Sequence, residues 1–239
     1  YIISAPFKTE PYPIFKAGDL GSKYFRIPGM ITLPSGRILV SNDLRMNHNG
    51  DSPAVIHSGI AYSDDNGTTW TQKEIYAMAG SSSTTDPQIL YDRDSKKIFF
   101  FTTTFTENYG FGNAQVGSGF TQFNDTHKAF ILYDGVWRSG QEGAGNKYYW
   151  IQESGEVYDE QKKLTTFTVD EKFYLFNNSV NVGNVFLQSS PLKILGTGYQ
   201  GLMESSDEGE TWTPLKLLYI KKDWMAAGMI APGRGLQLS

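Results

Sequence analysis

Tyr62-Ser63-Asp64-Asp65-Asn66-Gly67-Thr68-Thr69-Trp70 is echoed by Glu204-Ser205-Ser206-Asp207-Glu208-Gly209-Glu210-Thr211-Trp212, and both copies fit S-x-D-x-G-x-x-W. Each residue type has a task in a hairpin turn. An Asp side chain hydrogen-bonds backbone amides within the turn. Gly admits the positive φ of a tight reversal. Trp supplies a large flat surface that pins the returning strand. Turn chemistry alone accounts for Asp65 and Asp207, so both read as scaffold rather than as ligands or catalysts. Ser63 and Ser205, the first residues of the two motifs, stand 142 residues apart. Neighbouring repeats of a four-stranded unit are about 40–50 residues apart. The spacing therefore predicts an intervening unit enlarged by an insertion, placed within about 121–190, whose 140–147 stretch reads as an exposed loop.

Outward from these turns the chain is a series of short β-rich runs. They cover 29–33, 37–41, 58–62, 98–104, 129–133, 165–168, 172–176 and 192–196, separated by Pro34-Ser35-Gly36, Asp64-Asp65-Asn66-Gly67, Asp92-Arg93-Asp94-Ser95 and Glu208-Gly209. No stretch sustains a helical period. The fold class is all-β, built from meanders. A net charge of −4 with scattered Lys and Arg speaks against nucleic acid as a partner. The absence of Cys excludes thiol catalysis, thiolate metal sites and disulfides. No apolar run reaches membrane-spanning length. His48, His57 and His127 make no metal spacing, G-x-x-x-x-G-K-[ST] does not occur, and the one G-x-G-x-x-G, at 196–201, opens no stretch of helical period, so no metal and no cofactor are expected. The chain opens at Tyr1, so residues upstream of it are expected.

The stretches with chemical character begin at Tyr24-Phe25-Arg26-Ile27-Pro28-Gly29. A guanidinium is a planar fork that binds a carboxylate bidentately and keeps its charge at any working pH. Arg45 follows 19 residues after Arg26, and Asp51 follows 25 after it, in the loop-like Asn42-Asp43-Leu44-Arg45-Met46-Asn47-His48-Asn49-Gly50-Asp51-Ser52-Pro53. Read alone, Asp51 is an Asx-turn residue before Pro53, and Asp43 is a rival carboxylate at a strand end. Asp86, in Thr84-Thr85-Asp86-Pro87, reads alone as a turn or cap. Phe105, Tyr109 and Phe111 cluster in Phe105-Thr106-Glu107-Asn108-Tyr109-Gly110-Phe111-Gly112-Asn113 and read alone as core aromatics.

Together, the paired S-x-D-x-G-x-x-W motifs and Phe25-Arg26-Ile27-Pro28 resemble the Asp-boxes and the F/Y-R-I-P motif of bacterial sialidases. The resemblance runs from about residue 7 to residue 238. It implies a six-bladed sialidase β-propeller, of which this chain supplies about the first half as one N-terminal portion, 1–239. It implies an enzyme cleaving terminal α-linked sialic acid from glycoconjugates. Arg26 would be one of three arginines on the substrate carboxylate, and Asp51 the acid/base. Arg45 would lie near the O4 and N-acetyl side, and Asp86 would hydrogen-bond the O4 hydroxyl. Phe105 and the loop carrying Tyr109 and Phe111 would line the pocket, with Gly112 where some relatives have Trp. The family's nucleophile is a Tyr activated by a Glu, an exception to the two-carboxylate pattern. That pair and two further arginines are expected beyond residue 239, on a second chain carrying the C-terminal half. Sialylated glycans are the expected partners, and a secreted or cell-surface location the expected setting. A noncatalytic sialic-acid-binding propeller and an intramolecular trans-sialidase are the alternative readings.

Overall fold

The structure, a computed structural model, describes residues 10–114, 116–135, 148–194, 196–222 and 224–238. The loop expected at 140–147 lies outside the described residues. Strands β1 (Tyr24–Thr32), β2 (Ile38–Arg45), β3 (Ile56–Ser63) and β4 (Thr71–Tyr76) form an antiparallel meander. Leu39, Val40, Leu44, Ile56, Ile60 and Ala61 are buried on it. β5 (Ser83–Asp92) and β6 (Lys97–Phe105) begin a second meander.

The chain then leaves for a separate eight-stranded sheet. Its members are β7 (Phe120–Gln122), β8 (Lys128–Asp134), β9 (Tyr148–Ile151), β10 (Glu156–Tyr158), β11 (Leu164–Val169), β12 (Tyr174–Asn177), β13 (Val180–Asn184) and β14 (Leu192–Ile194). It returns as β15 (Tyr199–Ser205), which pairs β6 along seven positions, and β16 (Lys216–Leu218). β17 (Gly233–Arg234) adds to β5 in parallel. One parallel backbone bridge, Ile56 to Ser83, joins β3 of the first meander to β5 of the second.

The all-β expectation holds, and the intervening unit does not. The first motif copy turns β3 into β4 and the second turns β15 into β16, so the copies belong to neighbouring four-stranded units. The extra sequence between them sits between the second and third strands of the second unit. Sequence separation reports how much chain intervenes, not which connection carries it.

The two turns share one hydrogen-bond scheme at their Ser, Asp, Gly, Thr and Trp positions. Asp65 Oδ1 accepts from Thr69 N at 2.8 Å and Oδ2 from Thr69 Oγ1 at 2.7 Å; Asp207 does the same with Thr211 at 2.9 and 2.5 Å. The hydroxyls of Ser63 and Ser205 receive the amides of Gly67 and Gly209 at 2.8 and 2.9 Å. Both glycines are left-handed, at φ 85° and 90°. The Trp70 and Trp212 indoles close the turns on the Gly67 and Gly209 carbonyls at 3.2 and 3.1 Å. Trp212 also packs edge-on against the buried Phe100.

The eight-stranded sheet shares one apolar core with the meanders. Phe130, Leu132, Val157, Leu175, Val185 and Phe186 join Ile89, Phe100, Tyr199 and Met203. Polar contacts fix the docking: Ser82 Oγ donates to the Phe186 carbonyl at 3.2 Å, and Glu107 accepts from Ser81 Oγ at 3.0 Å and from the Gln188 amide at 2.9 Å.

Candidate active site

Pro28 has no N–H to give the β1–β2 ladder, so the pairing slips between Arg26 and Gly29. The slip puts Ile27 at φ 63°, a costly place for a β-branched residue. The second unit repeats the device in its own first strand. Pro87 interrupts β5, the register shifts between Thr85 and Gln88, and Asp86 sits at φ 57°. Bulges of this kind re-aim side chains. Here they face Arg26 and Asp86 toward one cluster with Arg45 and Asp51.

Arg45 is the hub. It is fully buried, and its Nη1 donates to Asp51 Oδ1 at 2.8 Å and to the carbonyls of Asn49 and Gly50 at 3.1 and 2.7 Å. Its Nη2 donates to Asp43 Oδ2 at 3.0 Å. Arg26, opposite Asp43 in the β1–β2 register, reaches Asp51 Oδ1 from outside at 3.3 Å and the Asn49 carbonyl at 3.1 Å. The Arg26 and Asp51 side chains are 40% and 71% exposed, so both face solvent and an incoming ligand. Both guanidinium contacts land on Asp51 Oδ1, and Oδ2 has no hydrogen-bond partner among the described residues.

Asp86 is half-buried. Burial pushes its carboxyl up, the Asp51 charge adds to the rise, and Arg45 and Arg26 pull back. Asp43 is 1% exposed, and burial pushes it up to about 7 against the pull of Arg45 and Thr85. The cluster is thus a solvent-facing cation beside a solvent-facing carboxylate, over a buried ion pair. It can take an anion on Arg26 and exchange a proton at Asp51.

Two residues expected at the pocket surface are placed differently. Arg45 is fully buried and offers no surface to a ligand; through its Nη1 bond it orients the Asp51 carboxylate instead. Phe105 is also fully buried, covered edge-on by Phe111 at a ring-centroid distance of 4.7 Å. Phe111, 40% exposed, is the ring that faces out. Tyr109 is half-buried with its ring over Gly196, where a Cβ would stand 1.9 Å from Tyr109 Cδ1. This aromatic loop adjoins the cluster because Gly110 lies against the Ser52 carbonyl, 2.0 Å from where a Cβ would be. Ser52 Oγ in turn meets Ser83 Oγ at 2.6 Å. Residue types alone leave Asp43 a rival carboxylate at a strand end and give Thr85 no part. The signal for both is register, since Asp43 lies opposite Arg26 on one side and Ser58 on the other.

A cavity of about 450 Å³ opens elsewhere, between the eight-stranded sheet and β16, lined by Phe130, Phe173, Leu217 and Tyr219 among others. None of the cluster residues lines it; the ion pair at its rim, Lys216 with Glu153 at 3.8 Å, is exposed on both sides and has no buried arginine behind it among the described residues.

No family model matches the chain. The anhydrosialidase of Macrobdella decora is 28% identical over 276 residues, covering 95% of this chain and 35% of that protein. Sialidase B of Streptococcus pneumoniae is 28% identical over 287 residues, covering 99% of this chain and 39% of that protein. Among solved structures, the intramolecular trans-sialidase of Ruminococcus gnavus superposes with a TM-score of 0.82 at 28% identity, over 94% of this chain and 55% of that one. The chain therefore spans less than half the length of these two curated relatives. In sequence over almost its whole length, and in fold, it is related to the bacterial-type sialidase catalytic domains.

Proposed function

We propose that this chain supplies the carboxylate-binding Arg26 and the acid/base Asp51 of an enzyme that releases terminal α-linked sialic acid from glycoconjugates. The observation that carries the reading is the Arg26–Asp51–Arg45 triad: one carboxylate oxygen held by two guanidinium groups, the other open to solvent. An arriving substrate carboxylate competes for Arg26, whose 3.3 Å contact to Asp51 is the weaker of the two. Arg45 keeps Asp51 in place while Arg26 turns to the substrate. Asp51 then donates a proton to the departing glycosidic oxygen and later takes one from the attacking water. Asp86 accepts a sugar hydroxyl, and Phe111 with Tyr109 forms an apolar wall.

The Tyr nucleophile, its Glu and two further arginines are proposed to come from residues outside this sequence, on a partner chain carrying the rest of the domain. The substrates, sialylated glycans, fit an enzyme that is secreted or held at the cell surface. A second reading has specific support: two of the similar proteins are an anhydrosialidase and an intramolecular trans-sialidase. In that reading a hydroxyl of the sialic acid itself replaces water as the final acceptor. Incubating the chain and the remainder of the catalytic domain with sialyllactose, with products followed by NMR, tests both. Free sialic acid supports hydrolysis, and an anhydro sugar supports intramolecular transfer. Saturable binding without turnover would make the protein a lectin.

A further inference from the structure

Asp43 is the one buried carboxylate at the site that the proposed reaction leaves unused. Its Oδ2 accepts from Arg45 Nη2 at 3.0 Å and from Thr85 Oγ1 at 2.9 Å, and its Oδ1 accepts from the Asp86 amide at 3.1 Å. Two of these donors belong to β5, in the neighbouring unit, 42 and 43 residues along the chain. The third is the arginine that holds Asp51. Asp43 is therefore wired to both of the other carboxylates in the cluster, to Asp51 through Arg45 and to Asp86 through its backbone. A buried ion pair costs about as much to desolvate as it returns, so stability alone is a weak account of it. Fixed geometry is a better one. With Nη2 pinned by Asp43, the planar guanidinium has one orientation, and Nη1 must point at Asp51.

We propose that Asp43 is a positioning residue that locks Arg45 against Asp51 and, through the bulge at Thr85–Asp86, sets the spacing between Asp51 and Asp86 across two units. The proposal rests on reading Asp51 as the acid/base. Asn has nearly the volume of Asp but offers one acceptor oxygen and one NH₂. Whichever way it turns, the NH₂ faces either the Asp86 amide or the Arg45 and Thr85 donors.

The test is Asp43→Asn in the complete enzyme, beside the core control Ile60→Val. Two readouts are taken: a crystal structure, and kcat/KM on sialyllactose and on an aryl sialoside whose phenolate leaves without a proton. A displaced acid predicts that the Arg45–Asp51 contact opens. It also predicts that sialyllactose turnover falls at least about tenfold more than aryl sialoside turnover. Equal losses on both substrates, as the control would give, or an unmoved Arg45–Asp51 pair, overturn the proposal. If the parent enzyme cleaves neither substrate, the reading of Asp51 falls, while the crystal structure still decides whether Asp43 holds the pair. Should Asp43→Asn fail to fold, Thr85→Val removes one bond to Asp43 and must shift the same ratio in the same direction by a smaller factor.

Discussion

Arg37 and Glu210, 173 residues apart in sequence, meet at 2.9 Å between Nη1 and Oε1. The same guanidinium grips Asp64 through Nε at 2.7 Å and Nη2 at 2.9 Å and lies 4.2 Å above the Tyr62 ring. It fastens the first repeat turn to the second across the two units. Lys73 adds a second cation on Glu210. Arg37→Ala is expected to cost about 1–2 kcal/mol in urea unfolding, because the arginine is mostly covered while its carboxylate partners are half in solvent. A double-mutant cycle with Glu210→Ala isolates the clasp. Additive losses would mean that the two turns are not coupled through it.

The turn carboxylates carry a pH signature. Hydrogen bonds from Thr69, backbone before hydroxyl, draw Asp65 down to about 2; Thr211, hydroxyl before backbone, does the same for Asp207. A carboxyl held below its unfolded value stabilises the fold fully above that value, near 3.8, and loses the contribution as pH falls toward 2. The melting temperature should therefore drop between pH 4 and 2, and the Asp65→Asn/Asp207→Asn variant should lose its deficit against the parent across that same window. A gap that stays constant down to pH 2 would show that these charges do not enter the balance.

These turns were legible because every partner lies within the motif: Ser, Asp, Gly and Thr bond to one another over four residues. The loop joining β2 to β3 was legible by motif spacing for a related reason, since Arg45 and Asp51 share one hairpin. What crosses between units was not legible. Asp43 reads as a strand-end residue until Thr85 and Asp86 are brought to it by the bridge at Ile56–Ser83. Residue type marks both Phe105 and Phe111 as core aromatics without saying which covers the other. The run expected at 172–176 begins two residues late because Asp170 turns the chain, taking the amides of Lys172 and Tyr174 at 2.9 and 2.8 Å with Phe173 at φ 65°.

The aromatic pair separates core from wall. Phe105→Ala empties a fully buried site and should cost about 3–5 kcal/mol. Phe111→Ala trims a ring that is 40% exposed and should cost about 1 kcal/mol while raising KM for sialosides. Thermal melts and steady-state kinetics read both variants. Comparable melting losses would place Phe111 in the core as well.

Arg26→Lys keeps the charge and removes the planar fork. In the complete enzyme the proposed carboxylate contact predicts a loss of about 2–3 kcal/mol in kcat/KM, roughly 30- to 150-fold, with little change in melting temperature. Kinetics within a factor of two of the parent would return Arg26 to the role of a bulge residue that happens to face Asp51.

Asp51 bears the most specific expectation. It stands on an open loop, anchored at one oxygen by Arg45 and Arg26. A general acid matters in proportion to how badly the leaving group needs a proton. Sialyllactose leaves as an alkoxide, and an aryl sialoside leaves as a stable phenolate. Asp51→Ala should therefore cut kcat/KM on sialyllactose by about 10²–10⁴ and on the aryl substrate by much less. The competing account makes Asp51 an Asx residue that shapes the turn before Pro53. Removing a turn residue disturbs the loop for every substrate alike and also frees Arg45, a buried cation, from one of its two carboxylates. It predicts equal kinetic losses and a lowered melting temperature. A third variant, Asp51→Asn, sharpens the comparison, since it keeps an acceptor for Arg45 but cannot give up a proton. If Asn restores the melting temperature and leaves the sialyllactose deficit in place, the carboxyl proton is what the reaction needs. If Asn restores both, Asp51 is a structural residue and the acid must be sought elsewhere.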